Sequence, residues 1–329
     1  PPAGKYVLCL EMLLLGDYPT YWRIGPIVAG LATLALTVLA VRELTGNDVV
    51  AFAAGALLLS DPMYRLLSSI AFLDIYVALF TSLAFYLVAR GRRRAAWAAA
   101  LAGTAFKFNA LFALVPVWAA EVRGRARGSA SPLIDAVDET ARFILKSVAA
   151  FLAIQVAVSI PLIEHFGLAS WINQSIVGAI SWHTGVKCTN CGESAPWDWF
   201  LGARAFTPYI YGNGAVVAAM GFWPFWSLAL ALTILMLPAY KSSRDLRVSG
   251  GFTLGILAGF LILWLAGGRT QYSFYAVQLA PTVYAFLASA AYESFTSPDV
   301  FLGSLGAWRR ALARAGKAAA EAAYWLLLG

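Results

Sequence analysis

At 329 residues, with 60% hydrophobic and only 12% charged side chains and a mean hydropathy of +0.71, the chain falls outside ordinary soluble domains, which carry about twice that charged fraction. It reads as an all-α, polytopic transmembrane protein with its apolar content spread over many spans. A net charge of +7 does not point to nucleic acid, because the basic residues sit in short clusters between apolar runs, where they report topology.

The chain opens Pro1-Pro2-Ala3-Gly4-Lys5 with no Met and no signal-like start, and reads as a fragment whose first span is missing. Tyr6 to Leu15, interrupted by Glu11, is too short to span and predicts an interfacial helix. Spans are expected at 22–41, 142–163, 213–239, 249–267 and 272–292, each near the length a bilayer needs. Two further stretches are broken by polar residues and predict short helix pairs, 49–66 with 70–89 and 95–106 with 109–120. The Ala-rich stretch 311–323 predicts an amphipathic surface helix or the start of a further span.

On this layout seven of the 24 Lys and Arg residues (Lys5, Arg23, Arg65, Lys107, Lys187, Arg204 and Arg269) fall on one side and the remaining 17 on the other. The basic side is then cytoplasmic. The opposite side holds the start of the chain, the Ser60–Ile75 stretch, Lys107, a large extracytoplasmic loop over 164–212, and Gly267 to Tyr272.

Within Ser60–Ile75, Asp61, Arg65 and Asp74 interrupt an apolar run. Charges at membrane depth cost several kcal/mol unless they face a partner or a wet cavity. The plainer reading is a loop at Asp61-Pro62 with Arg65 reaching the headgroups; Asp74 resists it, because apolar sequence flanks it on both sides.

The 164–212 loop is rich in aromatics: Trp171, Trp182, Trp197, Trp199, Phe200, Tyr209 and Tyr211. For most of these rings an interfacial belt is the better account. Trp197-Asp198-Trp199 places a carboxylate between two indoles, a surface suited to sugar hydroxyls. Cys188 and Cys191, following His183, read as a local disulfide, with half of a zinc site as the alternative. Cys9 reads as a small buried hydrophobe. Lys5, Lys107 and Arg269 each stand just outside an apolar run on one face; singly each is an anchor, together they suit a lipid phosphate. No phosphate-binding loop or dinucleotide fingerprint occurs.

Several segments in order resemble the protein O-mannosyltransferases, polytopic glycosyltransferases of the GT-C class. Pro1 to Lys5 is similar to the end of a His-Pro-Pro-Leu-Gly-Lys motif, and Tyr21-Trp22-Arg23-Ile24-Gly25-Pro26 to Gly-Trp-Arg-Leu-Pro-Ser. Ser60-Asp61-Pro62 with Ser68 to Ile75 resembles Leu-Asp-Pro and Gln-Ser-Arg-Ile-Ala-Met-Leu-Asp-Ile. Ala105 to Phe112 resembles Ala-Thr-Lys-Trp-Ser-Gly-Leu-Phe, Ser194 to Trp199 the Ser-Pro-Trp-x-Trp segment, and Arg269 to Pro281 the late Arg-x-x-Phe-x-Tyr region. Ser69 stands where the family has Arg, and Phe106 and Phe108 replace Thr and Trp.

The resemblance implies a single GT-C-like transmembrane domain over 1–329, including the 164–212 loop, that moves a sugar, usually mannose, from a polyprenyl-phosphate donor to Ser or Thr of a protein outside the cytoplasm, with inversion. Substrate contacts are expected from Lys5, Arg23, Arg65, Asp74, Lys107, Trp197, Asp198, Trp199, Arg269 and Tyr272. The family's acidic catalytic residue would precede Pro1, so this fragment is expected to be inactive alone. No cofactor is specified, though the site leaves room for a divalent metal; a homodimer is compatible. The alternatives are a GT-C transferase serving a lipid or glycan acceptor, and a transporter built on broken helices. A membrane scaffold gives Asp74 no purpose.

Overall fold

A computed structural model describes residues 1–126, 129–185 and 192–328. After α1 (Ala3–Leu15) come α2 (Ile24–Thr45) and α3 (Asp48–Ser60), joined by a tight turn. Gly46 ends α2 in the left-handed region (φ 64°), which a Cβ would disfavour, and Asn47 caps α3 by accepting from the backbone of Val49 and Val50 at 2.9 and 3.2 Å. Asp61 and Pro62 then start α4 (Pro62–Leu67) as N-cap and first residue. The chain breaks again before α5 (Asp74–Ala89).

Next are α6 (Arg93–Gly103), a 3₁₀ turn over Phe108–Ala113, α7 (Leu114–Ala126) and α8 (Pro132–Val158). Short helices follow: α9 (Ile160–Phe166), α10 (Leu168–Trp171), a π-helical turn over Ile172–Val177, and α11 (Gly178–Gly185). Beyond α12 (Asp198–Leu201), β1 (Phe206–Ile210) pairs antiparallel with β2 (Val216–Ala219). The chain ends in α13 (Trp223–Leu235), α14 (Arg244–Leu265), α15 (Ala280–Thr296) and α16 (Pro298–Leu328).

The all-α membrane architecture stands. By length and composition Tyr21–Thr45, Pro132–Val158 and Arg244–Leu265 can cross a bilayer, and Asp48–Ser60, Asp74–Ala89 and Trp223–Leu235 are shorter apolar helices. The broken pairs are present, with the second half of the later one beginning as a 3₁₀ turn. The span expected over 213–239 is not one helix. Its first part is β2, because Gly212-Asn213-Gly214 turns the chain and Val216 and Val217 suit a strand; the helix starts at Trp223-Pro224. The helix expected from 142 begins at Pro132, where Ser131-Pro132 supplies the start signal. The stretch drawn as a loop from 164 is helical through Gly185. Within it Trp171, Trp199 and Phe200 are buried and serve the core, whereas Trp182, Trp197, Tyr209 and Tyr211 are exposed as a belt requires. Cys9 is exposed, not buried, because α1 turns that face away from the bundle. Cys188 and Cys191 lie outside the described residues.

The bundle has two chemically distinct ends. Arg90 pairs with Glu43 at 3.6 Å, Arg244 donates to the Ala89 carbonyl, and Arg93 approaches Glu121 at 3.9 Å. The turns between α2 and α3, α5 and α6, α7 and α8, and α13 and α14 therefore gather at one end. With the basic end inside, single cysteines at Ser129 or Ser242 in intact cells should resist a membrane-impermeant thiol reagent, and one at Asn213 should react; labelling of either of the first two would reverse the orientation.

Candidate functional site

The end away from the arginine-rich turns is where the helices break. Over Ser68–Leu73 the chain leaves α4, the Phe72 N–H bonds back to the Ile70 carbonyl at 2.7 Å, and Asp74 opens α5. A carboxylate is well placed at a helix N-terminus, where unpaired N–H groups give positive potential. The second break follows α6. The buried Gln155 of α8 donates its amide to the carbonyl and hydroxyl of Thr104 at 3.2 and 3.1 Å, and so holds the chain open there. Lys107 follows in extended conformation before the 3₁₀ turn.

The two breaks meet. Lys107 Nζ donates to both carboxylate oxygens of Asp74, at 2.7 and 2.9 Å. The Asp74 side chain is 3% exposed and that of Lys107 24%, so the open side of the pair is the ammonium. It lies 3.9 Å from the centre of the Tyr275 ring and 5.2 Å from that of Phe274, a cation–π seat. An ammonium carries three N–H groups. With two on Asp74, one remains for an anion.

Aromatic rings build the surroundings. Tyr272 stacks on Phe274 with ring centroids 5.4 Å apart, and Phe72 meets Phe274 edge-on at 5.1 Å. Phe206 of β1 packs against Tyr272 and Phe274. Ser273 fastens the hairpin down: its hydroxyl accepts from Phe206 N–H at 2.8 Å and donates to the Ala219 carbonyl at 2.6 Å. The start of the chain arrives here too, through a bond from Ala3 N–H to the Ala105 carbonyl at 3.1 Å. Lys5 is exposed on the first turn of α1.

Of the residues singled out in the sequence, Lys107, Asp74 and Tyr272 are thus gathered in one cluster. Trp197 and Arg269 share another: Trp197 packs edge-on against Trp264 at 4.7 Å, and the Arg269 guanidinium lies 4.5 Å from the Trp264 ring centre. Trp199 points inward, buried, donating to Ser194 at 2.8 Å, and Asp198 accepts from the Ala195 N–H at 2.9 Å. Arg23 stands exposed at the start of α2. Arg65 borders a separate cavity of about 630 Å³ lined by Ile27, Leu31 and Leu34 of α2. Among the described residues no three His, Cys, Asp or Glu side chains are grouped to hold a metal.

Phe72, Phe274 and Tyr275 fall inside segments that resemble the family and Phe206 does not, but nothing local marks any of the four as the seat of a lysine, since rings make up 14% of the chain. Glu11 is a second omission. It is buried, its Oε1 accepts from Gly25 N–H at 2.5 Å, and its Oε2 meets no donor among the described residues. The only signal was an acid inside an apolar helix.

Residues 1–118, ending within α7, match the family model described as dolichyl-phosphate-mannose-protein mannosyltransferase. Over 94 residues, 29% of this chain and 18% of the relative, the sequence is 30% identical to a polyprenol-phosphate-mannose–protein mannosyltransferase of Corynebacterium glutamicum. The fold is similar to that of ArnT from Cupriavidus metallidurans bound to undecaprenyl phosphate, with a TM-score of 0.59 at 16% identity over 95% of this chain and 53% of ArnT. Against ArnT in the apo state the TM-score is 0.57 at 15% identity, over 93% of this chain and 51% of that one. The chain thus spans about half the length of ArnT.

Proposed function

We propose that this chain, a member of the protein O-mannosyltransferase family with the GT-C membrane fold, transfers a sugar, mannose by family, from a polyprenyl-phosphate carrier to Ser or Thr hydroxyls of a protein at the extracytoplasmic face. The acceptor oxygen attacks the anomeric carbon as its bond to phosphate oxygen breaks. Polyprenyl phosphate leaves with the electron pair, the hydroxyl proton passes to a general base, and the single displacement inverts the centre.

The observation that carries this reading is the Lys107–Asp74 pair: a lysine fixed on both oxygens of a buried carboxylate, seated on Tyr275, with one donor free. Negative charge grows on the leaving phosphate, and a cation held in place stabilises it with little reorganisation. Asp74 serves as a positioning residue. Tyr272, Phe274 and Tyr275 offer a rim for the sugar or the first prenyl units. Arg269, on Trp264, is a second cation for the phosphate. A transporter reading is less well supported: the 16 residues of α5 separate Asp74 from the basic end by about 24 Å, which sets the pair off the midplane of a core about 30 Å thick.

Full-length protein in liposomes, given labelled polyprenyl-phosphate mannose, is expected to label a Ser/Thr peptide. Label appearing only on a lipid or glycan acceptor, or no transfer at all, would remove the peptide assignment. Arg269→Ala should lower transfer at least about tenfold, since one charge-assisted contact is worth roughly 1.5–3 kcal/mol. Unchanged transfer would leave Arg269 as an interfacial anchor.

A further inference from the structure

The basic end of the bundle carries a cleft that sugar transfer does not use. It lies between the α5–α6 turn, the last turns of α7 and the first half of α8, with a volume of about 810 Å³. Arg92, Arg93, Arg94, Arg125, Arg142 and Lys146 line it against two carboxylates, Glu121 and Glu139. Those carboxylates are thinly shared: Arg93 and Lys146 each approach Glu121 at 3.9 Å, and Lys146 approaches Glu139 at 3.8 Å. Arg142 pairs with Asp138 at 2.9 Å. Arg92, Arg94 and Arg125 have no carboxylate partner among the described residues. The Arg93 guanidinium is packed directly over Gly124, where any Cβ would collide with it.

The same seam between α7 and α8 continues toward the bundle's middle as a groove of about 390 Å³, lined by Leu114, Val115, Trp118, Phe143, Val148 and Phe151. The residues succeed one another at helical spacing: 114, 118, 121 and 125 on α7, and 151, 147, 143 and 139 on α8. Two indoles mark the changeover from apolar to charged. Trp118 donates to Thr140 at 3.0 Å, and Trp97 donates to Ser147 at 2.9 Å beneath the Lys146 ammonium. Trp rings take this depth at a membrane interface.

We propose that this seam binds an anionic phospholipid, its phosphate among Arg92, Arg94 and Arg125 and an acyl chain along the α7–α8 groove. Topology alone calls for basic loops, but not for a cleft of surplus cations opening into a chain-sized apolar groove with indoles at the border. Basic pockets between membrane helices are suited to phosphate headgroups. The charge selects an anionic lipid over a neutral one, and the groove a lipid over free phosphate.

Delipidated full-length protein in neutral detergent is titrated with dioleoyl phosphatidylglycerol, dioleoyl phosphatidylcholine or inorganic pyrophosphate, with adducts counted by native mass spectrometry. Phosphatidylglycerol should bind at least about tenfold more tightly than phosphatidylcholine, and the double variant Arg94→Ala/Arg125→Ala should lose at least about tenfold of that affinity. Neither arginine makes an ion pair among the described residues, so the variant should fold. Val148→Trp, which fills the groove, should weaken lipid binding and leave pyrophosphate binding unchanged. Equal affinity for the two lipids, or full phosphatidylglycerol binding by the double variant, overturns the proposal. So does pyrophosphate binding as tightly as phosphatidylglycerol with Val148→Trp without effect, which makes the cleft a free-phosphate site.

Discussion

Lys107→Ala should reduce sugar transfer by more than Arg269→Ala, by about a hundredfold, because it removes the phosphate's cation and also strands Asp74. One lost charge-assisted contact accounts for roughly 1.5–3 kcal/mol of that, and a carboxylate left buried without its partner is destabilising by about 3–5 kcal/mol. The single variant therefore confounds chemistry with folding. The double variant Lys107→Met/Asp74→Leu separates them. Replacing both members of a buried pair with apolar residues of similar volume is often neutral for stability, so this protein should express and melt like the wild type. Its transfer should still fall at least about tenfold, as the phosphate has lost its donor. Asp74→Asn keeps an oxygen to accept from Lys107 and should be milder than Lys107→Ala, acting on the orientation of the ammonium. Wild-type turnover in the double variant would exclude the pair from the reaction and leave it a structural tie between two broken helices.

Asp74 was legible in the sequence as a charge stranded in an apolar run, for which there are few explanations, and Lys107 as one of three cations standing just outside apolar runs on one face. Their contact was not: Asp74 and Lys107 are 33 positions apart, and only packing of α5 against α6 joins them. The aromatic seat was less legible still. Phe274 and Tyr275 continue an apolar segment, and a ring under an ammonium looks in sequence like a ring in a belt. The helical architecture came through because spans are long and periodic. The hairpin did not, since Val216–Ala219 runs on into the apolar sequence of α13, and short apolar runs do not distinguish strand from helix. The interfacial belt failed for Trp199 and Phe200, whose burial depends on Phe260 and Trp226 from α14 and α13.

Asp61 is where sequence reasoning left two accounts open, and the geometry points to a large stability effect. Its carboxylate is fully buried. It accepts from Tyr64 N–H at 2.9 Å, Phe222 N–H at 3.1 Å, the Trp226 indole at 2.9 Å and the Tyr284 hydroxyl at 2.6 Å. Four donors from α4, the lead into α13, α13 itself and α15 thereby converge on one residue at the end of α3. No cation pairs with it among the described residues; its oxygens are held by these four hydrogen bonds. Asp61→Ala would leave all four donors unpaired in a dry core and open a small cavity. The expected cost is at least about 3 kcal/mol, since each unsatisfied buried group is worth roughly 1–3 kcal/mol and the effects overlap. Asp61→Asn retains the shape but puts an NH₂ toward some of those donors, and should fall between alanine and wild type. Intrinsic tryptophan fluorescence melts in detergent are suited to the measurement, because Trp226 is itself a partner. A melting midpoint for Asp61→Ala within about 2 °C of wild type would contradict the role, as a loss of this size moves Tm by several degrees. Transfer per folded molecule should change far less than in the Lys107 variants. If it falls as far while the melt is unchanged, Asp61 belongs to the chemistry and not to the frame.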